Sequence, residues 1–173
     1  MRKDNRRGFT LIELLIVVAI IGILSSVILV SLTNSRRRSD GAAFKTTMST
    51  LKGAVALCCA DSTNVLRTIT TATGTQTVCV TSTGTAVGTS YLPTATELNL
   101  GTGTARYAGN IVGYRCSNAN PILRVRIAND SKNPACSITA TSAIYYYVGA
   151  NDISYGMTAT PTAASIKGFP PGC

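Results

Sequence analysis

The sequence predicts an α+β protein in which a long N-terminal α-helix, membrane-spanning and then amphipathic, packs against an antiparallel β-sheet of three or four strands. Three observations carry this. Residues 14–30 form a run with no charge and no proline. Further on, Phe44, Met48, Leu51, Val55 and Cys58 recur at spacings of 4, 3, 4 and 3, which places them on one face of a helix. Beyond residue 100, segments rich in β-branched residues alternate with turn-forming groups, as a meander requires.

The N-terminus comes first in the chain and organises the rest. Arg2, Lys3, Arg6 and Arg7 precede Gly8, and an apolar stretch follows whose only charge, Glu13, lies near its start. At about 1.5 Å per residue, with its flanks added, such a helix spans a bilayer core of about 30 Å. A carboxylate at hydrocarbon depth is costly without a partner and marks a function. If the chain is cut after Gly8, the new α-amine of Phe9 lies one turn from Glu13, and it can pair within the chain or with a neighbouring subunit. The alternative is that Glu13 lies at headgroup level and reaches water.

The residues Gly8-Phe9-Thr10-Leu11-Ile12-Glu13 resemble the GFTLIE signature of type IV pilins and their relatives, the type II secretion pseudopilins and competence pilins. The resemblance implies a leader of residues 1–8 removed by prepilin peptidase after Gly8, and methylation of Phe9. It also implies an assembly role for Glu13, and a helix over residues 9–60 followed by a globular head over 61–173. The partners implied are copies of the chain itself in a helical filament, the prepilin peptidase, inner-membrane assembly machinery and the membrane before assembly, with DNA or surfaces as further candidates. The implied precursor is a single-pass, N-in protein of the inner membrane, displayed after assembly as an extracellular filament.

Charge bears on orientation from both sides. The basic leader argues for a cytoplasmic N-terminus, whereas Arg36, Arg37 and Arg38 follow the apolar run and would have to cross. An ordinary secretory signal peptide cut near Ser25 or Ser26 is the competing reading. Six cysteines without CxxC or histidine fit an exported disulfide framework.

The apolar stripe from Phe44 to Cys58 continues the helix as an amphipathic half over residues 33–60. No proline occurs before Pro93, so Gly22 and the Ser25-Ser26 pair are the candidate places for local melting in a filament. Residues 61–104 are dominated by threonine, serine, glycine and alanine, and only residues 75–83 alternate as a strand does. Asn129-Asp130-Ser131 matches the N-linked acceptor pattern but also makes a polar turn.

Residues 110–116 and 122–128 flank a turn-forming group and predict a hairpin. Residues 136–139 and 143–148 predict a second pair. The tail, 149–173, with Pro161, Pro170 and Pro171, predicts a loop held by a crosslink. All six cysteines, Cys58, Cys59, Cys79, Cys116, Cys136 and Cys173, are disulfide candidates, and fifteen pairings are open. Proximity favours Cys58 or Cys59 with Cys79, and Cys173 with Cys116 or Cys136.

Composition bounds the chemistry. The 173 residues include no histidine and no tryptophan, with 45% apolar, 6% aromatic and 13% charged residues. The formal net charge is +9; the leader holds four bases and one acid, so its removal leaves the chain basic. Without histidine there is no imidazole base or ligand, and the acids of the head, Asp61, Glu97, Asp130 and Asp152, are scattered. No catalytic residue, metal site or cofactor is expected, and the chain is not read as an enzyme. Arg115, Arg124 and Arg126, with Tyr114 and Tyr145-Tyr146-Tyr147 near in sequence, form a candidate nucleic-acid contact set. The competing account is arginines on the solvent face of a sheet with tyrosines packed partly beneath. A structural filament subunit and a membrane-anchored binding module are therefore the two functional readings.

Overall fold

The computed structural model describes residues 9–67, 76–101, 104–108, 115–117, 120–130, 132–136, 143–157 and 165–173. Contacts divide the chain into two units, Met1–Arg36 and Arg37–Cys173. One helix, α1 (Leu11–Cys58), runs through the division.

In the first unit the described side chains of α1 are exposed, and the helix is unbroken through Gly22, Ser25 and Ser26. In the second unit the stripe Phe44, Met48, Leu51, Val55 and Cys58 is buried. Alternating steps of three and four follow the 3.6-residue turn, so a single face meets the core. Gly41 extends the buried line one turn earlier.

Two antiparallel sheets make up the rest. The smaller contains β1 (Val65–Leu66), β2 (Thr77–Val80) and β3 (Ala86–Tyr91) in that order. All four residues of β2 are buried. β3 pairs with β2 across an irregularity: Thr77 faces Tyr91 and Cys79 faces Val87, so β3 spends four residues where β2 spends two. Gly88, at φ +73°, lies within that bulge, where a side chain would be strained.

The larger sheet is a meander of β4 (Thr104–Ala108), β5 (Ile122–Ala128), β6 (Ile144–Gly149), β7 (Ile153–Gly156) and β8 (Ile166–Lys167). On β5, Leu123, Val125 and Ile127 are buried and Arg124 and Arg126 lie on the other face, the period-two alternation of a half-buried strand. Tyr146 of β6, opposite Val125, turns inward and meets Phe44 of α1 at 5.3 Å between ring centroids and Phe169 of the tail at 5.8 Å. Offset and edge-on aromatic contacts of this kind add to the area they bury.

Three disulfides tie these parts: Cys58–Cys79, Cys59–Cys116 and Cys136–Cys173. The adjacent cysteines at the end of α1 thus reach two different segments. Cys136 ends a 3-10 turn, Pro134–Cys136.

Several expectations are corrected. The α+β layout of one long N-terminal helix with antiparallel sheet is as expected, but the strands form two sheets, of three and five, where a single sheet of three or four was expected. The partner of β5 is β4 at 104–108, earlier than the expected 110–116; residues 110–114 lie outside the described set, and Arg115 makes an isolated bridge to Val65. The expected strand at 136–139 begins instead with the 3-10 turn, its remaining residues being outside the described set. The tail carries β7 and β8, and the threonine-rich segment carries β1 and β3 besides the strand expected there. These strands were missed for a common reason. β7 is half-buried throughout and β8 exposed, and β3 is exposed at five of six positions, so none writes an alternating pattern into the sequence.

Candidate assembly site

The start of α1 is closed by a reciprocal pair. Thr10 immediately precedes the helix, and Glu13 is the acid of its first turn. Glu13 Oε2 accepts from the Thr10 backbone N–H at 2.9 Å and from Thr10 Oγ1 at 2.8 Å. The Glu13 N–H in turn approaches Thr10 Oγ1 at 3.4 Å. This is a capping box, in which a threonine and a glutamate three residues later satisfy donors that the first helical turn leaves unpaired. Thr10 was not among the expected site residues, although the Thr-x-x-Glu spacing was present to find it.

Around this box the surface is apolar. Phe9 is 86% exposed, and Leu11, Ile12, Leu14, Leu15 and Ile16 are likewise open. The helix is long and apolar enough to cross a membrane, with none of its most apolar window buried. A contiguous exposed apolar surface of this kind marks an interface or a membrane contact. Gly8 lies outside the described residues.

The cationic candidates separate. Arg124 and Arg126 share the outer face of β5, opposite Tyr147 and Tyr145 respectively, and the Arg124 guanidinium lies over the Tyr145 ring at 5.6 Å from its centroid. Arg115 is exposed but stands beside β1, the edge of the other sheet. Tyr146 and Tyr147 are buried; an added Cβ at Gly156 would touch the Tyr147 ring at 3.6 Å. Of the three consecutive tyrosines only Tyr145 keeps an accessible ring, and Tyr114 lies outside the described residues.

The acids of the second unit serve local structure. Asp130 is buried, and its Oδ1 accepts from the backbone N–H of Gly101, Lys132 and Asn133 at 3.3, 2.9 and 3.0 Å. Asn129, beside it, is exposed at φ 57°, and Ser131 of the same tripeptide lies outside the described residues. Backbone and hydroxyl donation from Thr94 hold the Glu97 carboxyl below the usual glutamate range. Thr63, through its hydroxyl and then its N–H, does the same for Asp61. Burial, then the charge of Asp130, raises the Tyr146 phenol far above its ordinary value. Cys58, Cys59 and Cys116 bring their sulfurs within 4.8 Å of one another, but all three are consumed by disulfides and offer no thiolate ligand.

Residues 3–29 match the family model of the prokaryotic N-terminal methylation motif. The match covers Lys3, Arg6 and Arg7 before Gly8, the Phe9–Glu13 segment and most of the apolar run. The chain therefore carries the N-terminal signature of type IV pilins and pseudopilins. No solved structure matches the chain.

Proposed function

We propose that this chain is a structural subunit of a type IV pilus or related filament and polymerises through α1 after removal of residues 1–8. The observation that carries the reading is the methylation motif at residues 3–29 joined to a helix whose most apolar window has no residue buried. Before assembly the bilayer covers that window; in a filament, neighbouring copies of the same helix do so. Glu13 then selects the register. A mature α-amine on Phe9 of an adjacent copy offers its carboxylate a charged partner stronger than the Thr10 hydroxyl. The methylation motif points to a structural protein, and chemistry on a substrate has no part in the proposal.

A pseudopilin of a type II secretion system shares this N-terminal chemistry and is the second reading. A membrane-anchored adhesin or DNA-binding competence pilin is the third, resting on Arg124 and Arg126 on one sheet face. Cell-surface material sheared from cells expressing the chain tests the first. Electron microscopy is expected to show filaments containing the chain, and N-terminal sequencing to give methylated Phe9. A first residue beyond Ser26, or an absence of filaments, would overturn it.

A further inference from the structure

Beside α1 in the second unit runs a groove of about 480 Å³. Leu51 and Ala54 line it from the helix, Tyr91 and Pro93 from the end of β3 and beyond, and Glu97 stands at its edge. Its floor is apolar, and the Tyr91 ring is 53% exposed. Glu97 Oε2 is taken by Thr94 N–H and Oγ1, at 2.7 and 2.9 Å. These bonds keep the carboxyl ionised and fix its direction.

The same unit presents an exposed apolar edge. Among the described residues β8 ends the larger sheet, and Met157 and Ile166 are 74% and 57% exposed. Lys167, next to Ile166, pairs among the described residues with Asp152, at 3.9 Å with both side chains largely in water. Such a pair contributes little and is readily exchanged.

Glu97, at the groove, and Phe169, just past the edge, meet α1 on opposite flanks. Thr47 Oγ1 donates to the Glu97 carbonyl at 3.2 Å, while Lys45 Nζ lies 5.9 Å from the Phe169 ring centroid, two residues past β8. Residues two apart on a helix are separated by about 200°. A chain therefore cannot seat its own edge in its own groove.

We propose that the groove receives the β7–β8 edge of a second copy, with Met157 and Ile166 against Leu51, Ala54, Tyr91 and Pro93, and Lys167 paired with Glu97. The chemistry matches in both parts: a thioether and a branched aliphatic chain meet an aromatic wall and apolar floor, and an ammonium meets an oriented carboxylate. The contact uses two different surfaces, so each copy that fills a groove offers a fresh edge. Such heterologous contacts propagate into open assemblies. The inference rests on the filament reading and names the second surface, apart from the N-terminal helix, through which copies meet.

The test uses the full chain in expressing cells, with Tyr91 replaced by the photo-crosslinker p-benzoylphenylalanine. Illumination is expected to give dimers and higher multimers whose crosslinked peptide contains Met157 or Ile166. Separately, Glu97→Lys and Lys167→Glu should each lower filament yield about tenfold, and the double variant should recover most of it. Filaments whose Tyr91 crosslinks map elsewhere overturn the contact and leave the filament reading standing. Tyr91–Ile166 crosslinks in membranes that never form filaments keep the contact and overturn the filament. Neither filaments nor these crosslinks overturns both.

Discussion

Gly41 of α1 lies directly against Asn133: a Cβ built on the glycine would stand 2.5 Å from Asn133 Nδ2 and 3.0 Å from the Cys173 carbonyl carbon. The helix can approach the loop after Asp130 only because this position has no side chain. Gly53, on the same helix, has nothing within 4 Å of its added Cβ. Gly41→Ala is therefore expected to destabilise the second unit by about 1–3 kcal/mol through overpacking. Gly53→Ala should stabilise it by about 0.5–1 kcal/mol through helix propensity. Thermal unfolding of the detergent-solubilised chain, followed by circular dichroism, distinguishes the two; equal effects would show the contact at Gly41 to be slack.

The capping box makes a second prediction. Thr10→Val removes the hydroxyl that Glu13 Oε2 accepts from at 2.8 Å, while Thr10→Ser retains it. Filament yield is expected to fall about threefold or more for Val and to stay near the parent level for Ser. Quantitative immunoblots of sheared and cell-bound fractions measure this. Equal yields for the two variants would remove Thr10 from the assembly site.

Acid should loosen the segment around Glu97. Its folded pKa lies below the ordinary value of 4.5, the Thr94 N–H being the first cause and the Thr94 hydroxyl the second. The unfolded chain thus binds this proton more readily, so the carboxylate's contribution is complete above the unfolded value and disappears as pH falls through the folded one. Because Glu97 is exposed, the effect is small. Stability measured from pH 7 downward should decline less steeply below about pH 4.5 for Glu97→Gln than for the parent. Parallel curves would show that Thr94 does not favour the charged form.

At the alkaline end Tyr146 is the reporter. Its folded pKa is raised, chiefly by burial, and its OH donates to the Cys136 carbonyl at 3.3 Å. The neutral phenol's contribution is full below the ordinary value of 10.0 and is lost as pH rises beyond it, because the unfolded chain ionises first. Ultraviolet titration should show the parent and Tyr146→Phe ionising the same number of tyrosines while folded, and the parent one more only after unfolding. A reversible Tyr146 signal in the folded protein near pH 10 would contradict its burial.

The bridge Cys136–Cys173 encloses a separation of 37 residues, for which loop-closure entropy gives about 4 kcal/mol. Replacing both cysteines by alanine should lower the unfolding midpoint and release Phe169 from Phe44, a contact now at 6.0 Å between ring centroids. Protease sensitivity confined to the tail, with β5 and β6 still protected, is the expected result; unchanged sensitivity would show that packing alone holds the tail.

Much of the fold was legible where one face of an element is buried. The steps from Phe44 to Cys58 repeat the helical turn, and Leu123, Val125 and Ile127 alternate with Arg124 and Arg126, so burial is written directly into the order of residues. β3 was illegible because its side chains mostly face solvent and its register with β2 depends on the bulge at Gly88. β8 is two exposed residues that among the described residues pair with β7. At the N-terminus, Gly8, Phe9 and Glu13 stood out through their motif, whereas Thr10 emerged only when its hydroxyl met the glutamate.

The sequence by itself determined the N-terminal signature, the apolar run with its single carboxylate, and the stripe by which the helix joins a core. These depend on neighbours within one or two turns, so local spacing encodes them. Tertiary structure decided which one of fifteen pairing schemes the cysteines adopt, the division into two sheets, and the placement of Glu97 and Phe169 on opposite flanks of α1. Each of those brings together residues tens of positions apart, where chain connectivity sets no distance and only packing does.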